Sequence, residues 1–168
     1  GLSGSGKSTL ARALAARLGA PPGARILSSD RIRKARAGVA AETRLPAQAY
    51  TPEESRLVYA ELCAKAGRAL RAGCAVIADA VFARPDERGH IEAVAGAAGA
   101  AFDGLWLETG AETMRARVAA RVGDPSDANA DVVAAQLRYD LGDIGWTRLD
   151  AGADDIAVRA ARVLSLTS

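Results

Sequence analysis

The sequence predicts an α/β fold, a parallel sheet covered by helices on both faces. Two observations carry this reading. Short apolar runs alternate with longer stretches of helical periodicity along most of the 168 residues, and βα alternation is how a parallel sheet is built. A glycine-rich stretch, GLSGSGKS at 1–8, leads straight into the first helical stretch. The length suits one domain.

In chain order, residues 8–19 place apolar side chains at helical spacing and stop at Gly19, with Pro21 and Pro22 beyond. ARILSSD at 24–30 is a buried strand that ends in polar residues, and 30–39 is a basic helical segment. Residues 51–73 form the clearest helix. Thr51 caps it, Pro52 fits its first turn, Glu53 and Glu54 suit its positive end, and Gly73 ends it. CAVIADAVF at 74–82 is a second strand, 83–100 a helix, 102–109 a third strand and 111–122 a helix. The polar, turn-rich stretch 123–131 is a loop, and 131–140 returns to helix. A weak strand at 146–149 and a helix at 154–165 complete the chain.

Composition excludes several classes. Hydrophobic residues make up 49% and charged residues 25%, as in soluble globular proteins. Arg, Gly or Asp interrupts every apolar stretch, so no segment spans a membrane. Nothing resembles a secretory signal. Cys63 and Cys74 are too few for a disulfide scaffold or a structural zinc site. They read as small buried residues of a reducing, cytoplasmic compartment. The balance of 22 basic against 20 acidic residues, net +2, argues weakly for a polyanionic partner. With 4% aromatic residues, base-stacking platforms are hard to build. Nucleic acid is therefore not an expected partner. The core must come from Ala, Val, Leu and Ile rather than large rings.

GLSGSGKS fits G-x-x-x-x-G-K-[ST] at every fixed position. Gly1 and Gly6 permit backbone conformations that a Cβ opposes. The amides of Gly1, Ser3, Gly4, Ser5 and Gly6 can then turn inward around phosphate oxygens, and the following helix adds its positive end. Lys7 reaches the β- and γ-phosphates of ATP, Ser8 offers a hydroxyl to Mg²⁺, and Thr9 faces the α-phosphate. Almost all other basic residues are arginines. A lysine kept here agrees with a compact ammonium fitting between two phosphates. Such a loop follows a strand, and none precedes it. A strand of about five buried apolar residues is worth on the order of 10 kcal/mol at ~1.5–3 kcal/mol each. A whole domain is stable by only ~5–15 kcal/mol. The expectation is that the natural polypeptide continues upstream, and that restoring this first strand raises the melting temperature sharply.

The loop specifies a nucleotide, and the reaction must come from other residues. Asp30 ends the 24–30 strand. Ligands in parallel sheets sit beyond the carboxyl ends of strands. Asp30 either takes the proton of an attacking hydroxyl, binds Mg²⁺ through water, or caps a helix in competition with Ser28 and Ser29. Asp79 ends AVIAD, where a carboxylate would position Mg²⁺, or it is a strand-end turn residue. Arg117 and Arg121 are four apart, share a helix face and lead into the polar loop. They either close over a triphosphate as lid arginines or are solvated; Arg115 reads as solvated. Arg33, three residues after Asp30, could hold an anionic group of the acceptor. Arg84 and Arg88 line the same cleft or pair with Asp86 or Glu87. His90 has no metal-ligand spacing and reads as a helix-surface residue. Tyr50 and Tyr59 read as packing residues.

Taken together, GLSGSGKST, SSDRIRK, LPAQAYTPE, VIADAVFARPDER, GLWLE and RVAARVGDPSDA resemble small P-loop kinases related to gluconate kinase, polynucleotide kinase, chloramphenicol phosphotransferase and zeta toxins. The resemblance is closest to the ATP-binding half of two-domain proteins whose other half is aminoglycoside-phosphotransferase-like, and it spans nearly the whole chain. It implies a three-layer P-loop NTPase fold with strand order 2-3-1-4-5, the first strand being absent here, and a covalently linked upstream domain. It also implies Asp30 as base, Arg33 on the acceptor side, and Arg117 and Arg121 in a lid at 117–131. The expected activity is ATP- and Mg²⁺-dependent phosphoryl transfer to a hydroxyl of a small-molecule acceptor. The alternatives are a polynucleotide 5′-hydroxyl kinase and a nucleotide-binding regulatory module.

Overall fold

The computed structural model describes residues 1–120, 125–152 and 156–164. In chain order the elements are α1 (Lys7–Ala15), β1 (Arg25–Ser28), α2 (Ser29–Arg36), α3 (Pro52–Arg71), β2 (Val76–Asp79), α4 (Pro85–Ala97), β3 (Leu105–Glu108), α5 (Ala111–Ala119), α6 (Ala130–Gln136), β4 (Thr147–Asp150) and α7 (Ile156–Val163). A single 3₁₀ turn at Ala47–Tyr50 precedes α3; no periodicity in the sequence announces it.

Local chemistry sets the helix starts. The Thr51 hydroxyl accepts from the Glu54 N–H at 3.2 Å, with Pro52 opening α3. Asn129 accepts from the Val132 N–H at 3.0 Å and starts α6. At α4 the Glu87 carboxylate reaches back to the Arg84 N–H at 3.2 Å, so this helix begins later than residue 83. The first helix also stops early, at Ala15, because the chain turns before Gly19, whose φ is +76°.

The strands pair as two parallel ladders. β1 runs beside β2 with Ser28 opposite Asp79, and β3 runs beside β4 with Glu108 opposite Asp150. In the expected order 2-3-1-4-5 these are the pairs 2-3 and 4-5. Among the described residues the two ladders share no strand pairing. An apolar slot of about 600 Å³, lined by Ile77 and Leu107 with Leu10 and Leu14, lies between them.

Side-chain alternation along the strands builds the layers. Val76 and Ala78 face a core with Leu27, Val58, Leu62 and Ile91, under α3 and α4. Ile77 points the other way, into a core of Leu10, Leu14, Leu107, Leu149 and Ala160 that joins α1 and α7 to both ladders. Trp106 faces a third core with Met114, Val118 and Val133, under α5 and α6. Val58 and Leu62 are wholly buried, each contributing about 1.5–3 kcal/mol. Two large rings belong to the interior after all: Phe82 and Trp106 are buried, and Phe82 stacks edge-to-face on Tyr59 and Trp146. Cys63 is half-buried and Cys74 exposed, so Cys74 does not fill a core position. No described helix is long and apolar enough to cross a membrane.

Candidate active site

The loop at 1–6 has the backbone that its sequence demands. Gly4 and Gly6 sit at φ +82° and +95°, where a side chain is strained. A Cβ on Gly4 would also lie 2.6 Å from the Met114 carbonyl oxygen. Gly6 starts α1 with no side-chain cap and no acid in the first turn. The positive end of the helix is thus left for an anion from elsewhere. Lys7 folds over the loop and donates to the Leu2 carbonyl at 2.8 Å. Ser8 and Thr9 lie exposed at the helix start. Ser5 is wholly buried, and its hydroxyl has no hydrogen-bond partner.

One contributor escapes the sequence reading. Gln136 of α6 is buried, and its Oε1 accepts from the Ser3 N–H of the loop at 2.8 Å. The only sequence signal is a polar residue three positions after the buried Val133, on the helix face that should be apolar.

A cavity of about 1740 Å³ opens beside the loop, and Lys7, Ser8, Asp30, Arg33, Asp79 and Ser126 all line it. Strand register brings the two acids together. Ser28 pairs with Asp79, and Asp30 follows two residues after Ser28 at the start of α2. Desolvation raises the Asp30 pKa from the ordinary 3.8, and the Asp79 charge adds to this; a hydrogen bond from Ser126 and the charges of Lys7 and Arg33 oppose it. Asp30 does not cap α2, because Ser28 takes that place and accepts from the Arg31 N–H at 3.5 Å. Asp79 is buried. The oxygen donors of Ser8 and Asp79 suit Mg²⁺, which keeps few protein ligands when phosphates supply the rest. No group of three or more His, Cys, Asp or Glu among the described residues could hold a metal ion by itself.

The arginines divide. Arg33 lines the cavity but is buried, donating to the Ala49 carbonyl at 2.6 Å and to the Ser55 hydroxyl at 3.3 Å, with Tyr50 4.7 Å from its guanidinium. Its Nε has no partner. Arg84 is exposed at the cavity rim and paired with Asp86 at 2.9 Å, the local pairing that the sequence left open.

Arg88 is a correction. It is buried away from the cavity and donates to four carbonyls, those of Phe82, Ala83, Leu141 and Asp143. Both of its terminal nitrogens are spent on backbone carbonyls of the fold, which does not support the expected substrate-binding role. Phe82, one of its acceptors, holds φ +51°, a costly conformation for a bulky residue. Arg88, together with the Phe82 N–H donated to the Tyr59 hydroxyl at 3.0 Å, pins it there.

Arg117 donates to the Ala151 carbonyl at 3.0 Å, and its guanidinium passes 3.6 Å from where a Cβ on Gly6 would stand. It therefore lies against the loop. Arg121 falls outside the described residues. Arg115 pairs on the surface with Glu112 at 2.5 Å, as a solvated residue does. His90 is exposed on α4.

Solved structures share this architecture. A sugar kinase from Janibacter sp. HTCC2649 superposes with a TM-score of 0.65 at 20% identity, over 99% of this chain and 91% of that one. The APS kinase of Mycobacterium tuberculosis, in complex with AMPPNP and APS, gives 0.66 at 19% identity, over 99% and 92%. No curated protein matches the chain. The fold is that of P-loop kinases, an α/β unit of helices and parallel strands. Over residues 1–140 the sequence matches AAA_33, described as an AAA domain, and the chain belongs to that family.

Proposed function

We propose that the chain is an ATP- and Mg²⁺-dependent phosphotransferase that acts on a hydroxyl group of a small molecule. The observation that carries this is the Asp30 carboxylate, which shares one cavity with the phosphate loop and lies within the electrostatic reach of Lys7. A sugar kinase and an APS kinase with the same fold support nucleotide-dependent phosphoryl transfer.

In this reading the loop amides and Lys7 hold the β- and γ-phosphates. Ser8 and Asp79 would hold Mg²⁺, which supplies charge neutralisation at the phosphate oxygens when bound. Asp30 aligns the acceptor hydroxyl and takes its proton as the oxygen attacks the γ-phosphorus. The bond from that phosphorus to the bridging oxygen breaks, and ADP carries the electron pair away. Arg117, lying against Gly6, is placed to meet charge on the transferred group. Catalysis of this kind is mostly positioning.

The test separates binding from transfer. Lys7→Ala should abolish AMPPNP binding in calorimetry. Asp30→Ala should bind AMPPNP but transfer nothing to a panel of sugars, amino alcohols, nucleosides and oligonucleotide 5′-hydroxyls on which the wild type acts. If Asp30→Ala keeps every ATP-dependent activity while Lys7→Ala loses the nucleotide, the chain is a nucleotide-binding module and not a transferase.

A further inference from the structure

We propose that Gln136 is a positioning residue for Lys7 and acts through the peptide that joins Leu2 to Ser3; this rests on the reading above, in which Lys7 holds the β- and γ-phosphates. Gln136 lies on α6, and the proposed transfer step gives it no role.

One peptide unit is gripped at both ends. The Leu2 carbonyl accepts from the Lys7 ammonium at 2.8 Å and from the Ser5 N–H at 3.2 Å. The Ser3 N–H of the same peptide donates to Gln136 Oε1 at 2.8 Å. A backbone N–H needs an acceptor, so the amide oxygen of Gln136, and not its NH₂ group, faces Ser3. The Leu2–Ser3 peptide is trans, so its C=O and N–H are coplanar and point in opposite directions. Whatever fixes the N–H therefore fixes the carbonyl. Gln136 grips the far end and sets the direction in which Leu2 presents its oxygen to Lys7.

The grip is buried on both sides. Ser3 and Gln136 are each 8% exposed, and a buried N–H that loses its acceptor is costly. Val133 lies three residues before Gln136, so the two share a face of α6. Val133 is wholly buried and belongs to the same core as Leu2. One face of α6 thus serves the Leu2 side chain with Val133 and the adjoining N–H with Gln136. On another side the loop is wedged against α5, where a Cβ on Gly4 would strike the Met114 backbone. A long lysine side chain loses rotamer freedom when it is held. An ammonium already seated on the Leu2 carbonyl has less freedom left to lose when phosphates arrive.

The experiment follows the whole chain by the amide resonances of Ser3 and Ser5 and the ¹³Cε resonance of Lys7, recorded without nucleotide, with AMPPNP calorimetry beside them. Gln136→Met keeps the length of the side chain and removes the acceptor. It should move the Ser3 amide proton upfield, as a lost hydrogen bond does, and move the Ser5 and Lys7 resonances with it. Gln136→Glu keeps an acceptor on a stem of the same length and should return the Ser3 proton to its wild-type position. AMPPNP affinity should fall by about tenfold in Gln136→Met. If Gln136→Met fails to fold, Gln136→Asn, which draws the acceptor back by one methylene, repeats the comparison. A Ser3 shift with the Ser5 and Lys7 resonances unmoved, or AMPPNP affinity within about twofold of wild type, would overturn the proposal, because Gln136 then only satisfies a buried amide. A wild type that binds no AMPPNP instead overturns the proposed function, and the resonances, taken without nucleotide, still decide whether Gln136 sets Lys7.

Discussion

Replacing Arg88 with Met keeps the length of the side chain and removes every donor. Arg88 serves four carbonyls at 2.6–2.9 Å, and its bonds to Phe82 and Ala83 are fully buried. A buried acceptor left without a donor costs about 1–3 kcal/mol, so the two buried carbonyls alone cost about 2–6 kcal/mol. The Leu141 and Asp143 carbonyls, partly buried, can recruit water and add less. Taking about 4 kcal/mol as the centre, a chain of this length should melt about 8–16 °C lower. Arg88→Lys should recover little, because a compact ammonium cannot span carbonyls on both sides of a planar fork. The assay is thermal unfolding by circular dichroism, with AMPPNP calorimetry well below the transition, where affinity should be near the wild-type value. A melting temperature within about 2 °C of wild type, or rescue by lysine, would refute the reasoning and return Arg88 to the list of acceptor ligands.

Gly4→Ala meets both a positive φ and the backbone of Met114 at 2.6 Å, so AMPPNP affinity should fall by about tenfold or more, as calorimetry would show. Arg117→Ala should keep AMPPNP affinity within a few-fold and lower the rate of transfer by about 10³ or more, measured by coupled ADP release. Burial pushes the Asp127 carboxyl up, but the hydrogen bonds from Lys34, Tyr50 and Leu45 outweigh it and hold its pKa below the ordinary 3.8. The folded state therefore binds this proton less readily than the unfolded state does. The stabilisation is in place above the unfolded value and is lost as pH falls through the folded one. Melting temperature should drop on acidification below about pH 4, and the drop should be shallower in a Lys34→Met with Asp127→Asn double variant.

Legibility in the sequence followed the range of the interaction. Thr51, Pro52 and Gly73 bracket α3 within a few residues of its ends, and the strand expected at 74–82 contains the shorter β2 at Val76–Asp79. The phosphate loop was legible because its chemistry is contained in eight consecutive residues. The pairing of Arg84 with Asp86, two residues away, was visible as an option for the same reason. The partners of Arg88 in Leu141 and Asp143, of Lys34 in Asp127 and of Ser3 in Gln136 lie 53 to 133 residues away. No periodicity encodes such pairs, because the fold alone brings them together. A buried arginine satisfied by carbonyls and a cleft arginine waiting for an anion read alike until the partners are known.

The departures from ordinary folding rules gather at one place. α2, α3 and α6 are capped by Ser28, Thr51 and Asn129, whereas α1 has neither a cap nor an acid in its first turn. Asp30 at the start of α2 and Asp79 at the end of β2 stand beside one cavity, and the Asp79 charge burdens Asp30. Among the described residues, two buried polar atoms without partners, Ser5 Oγ and Arg33 Nε, belong to the loop and to the cavity wall. Each feature costs stability when considered alone. In the proposed reading, an anion at the α1 terminus would relieve the first, and the charge of a divalent cation held by Ser8 and Asp79 would relieve the second. A polyphosphate carried with Mg²⁺ supplies both charges at once. The same local costs, which a fold optimised only for stability would shed, are what a phosphoryl-transfer site requires.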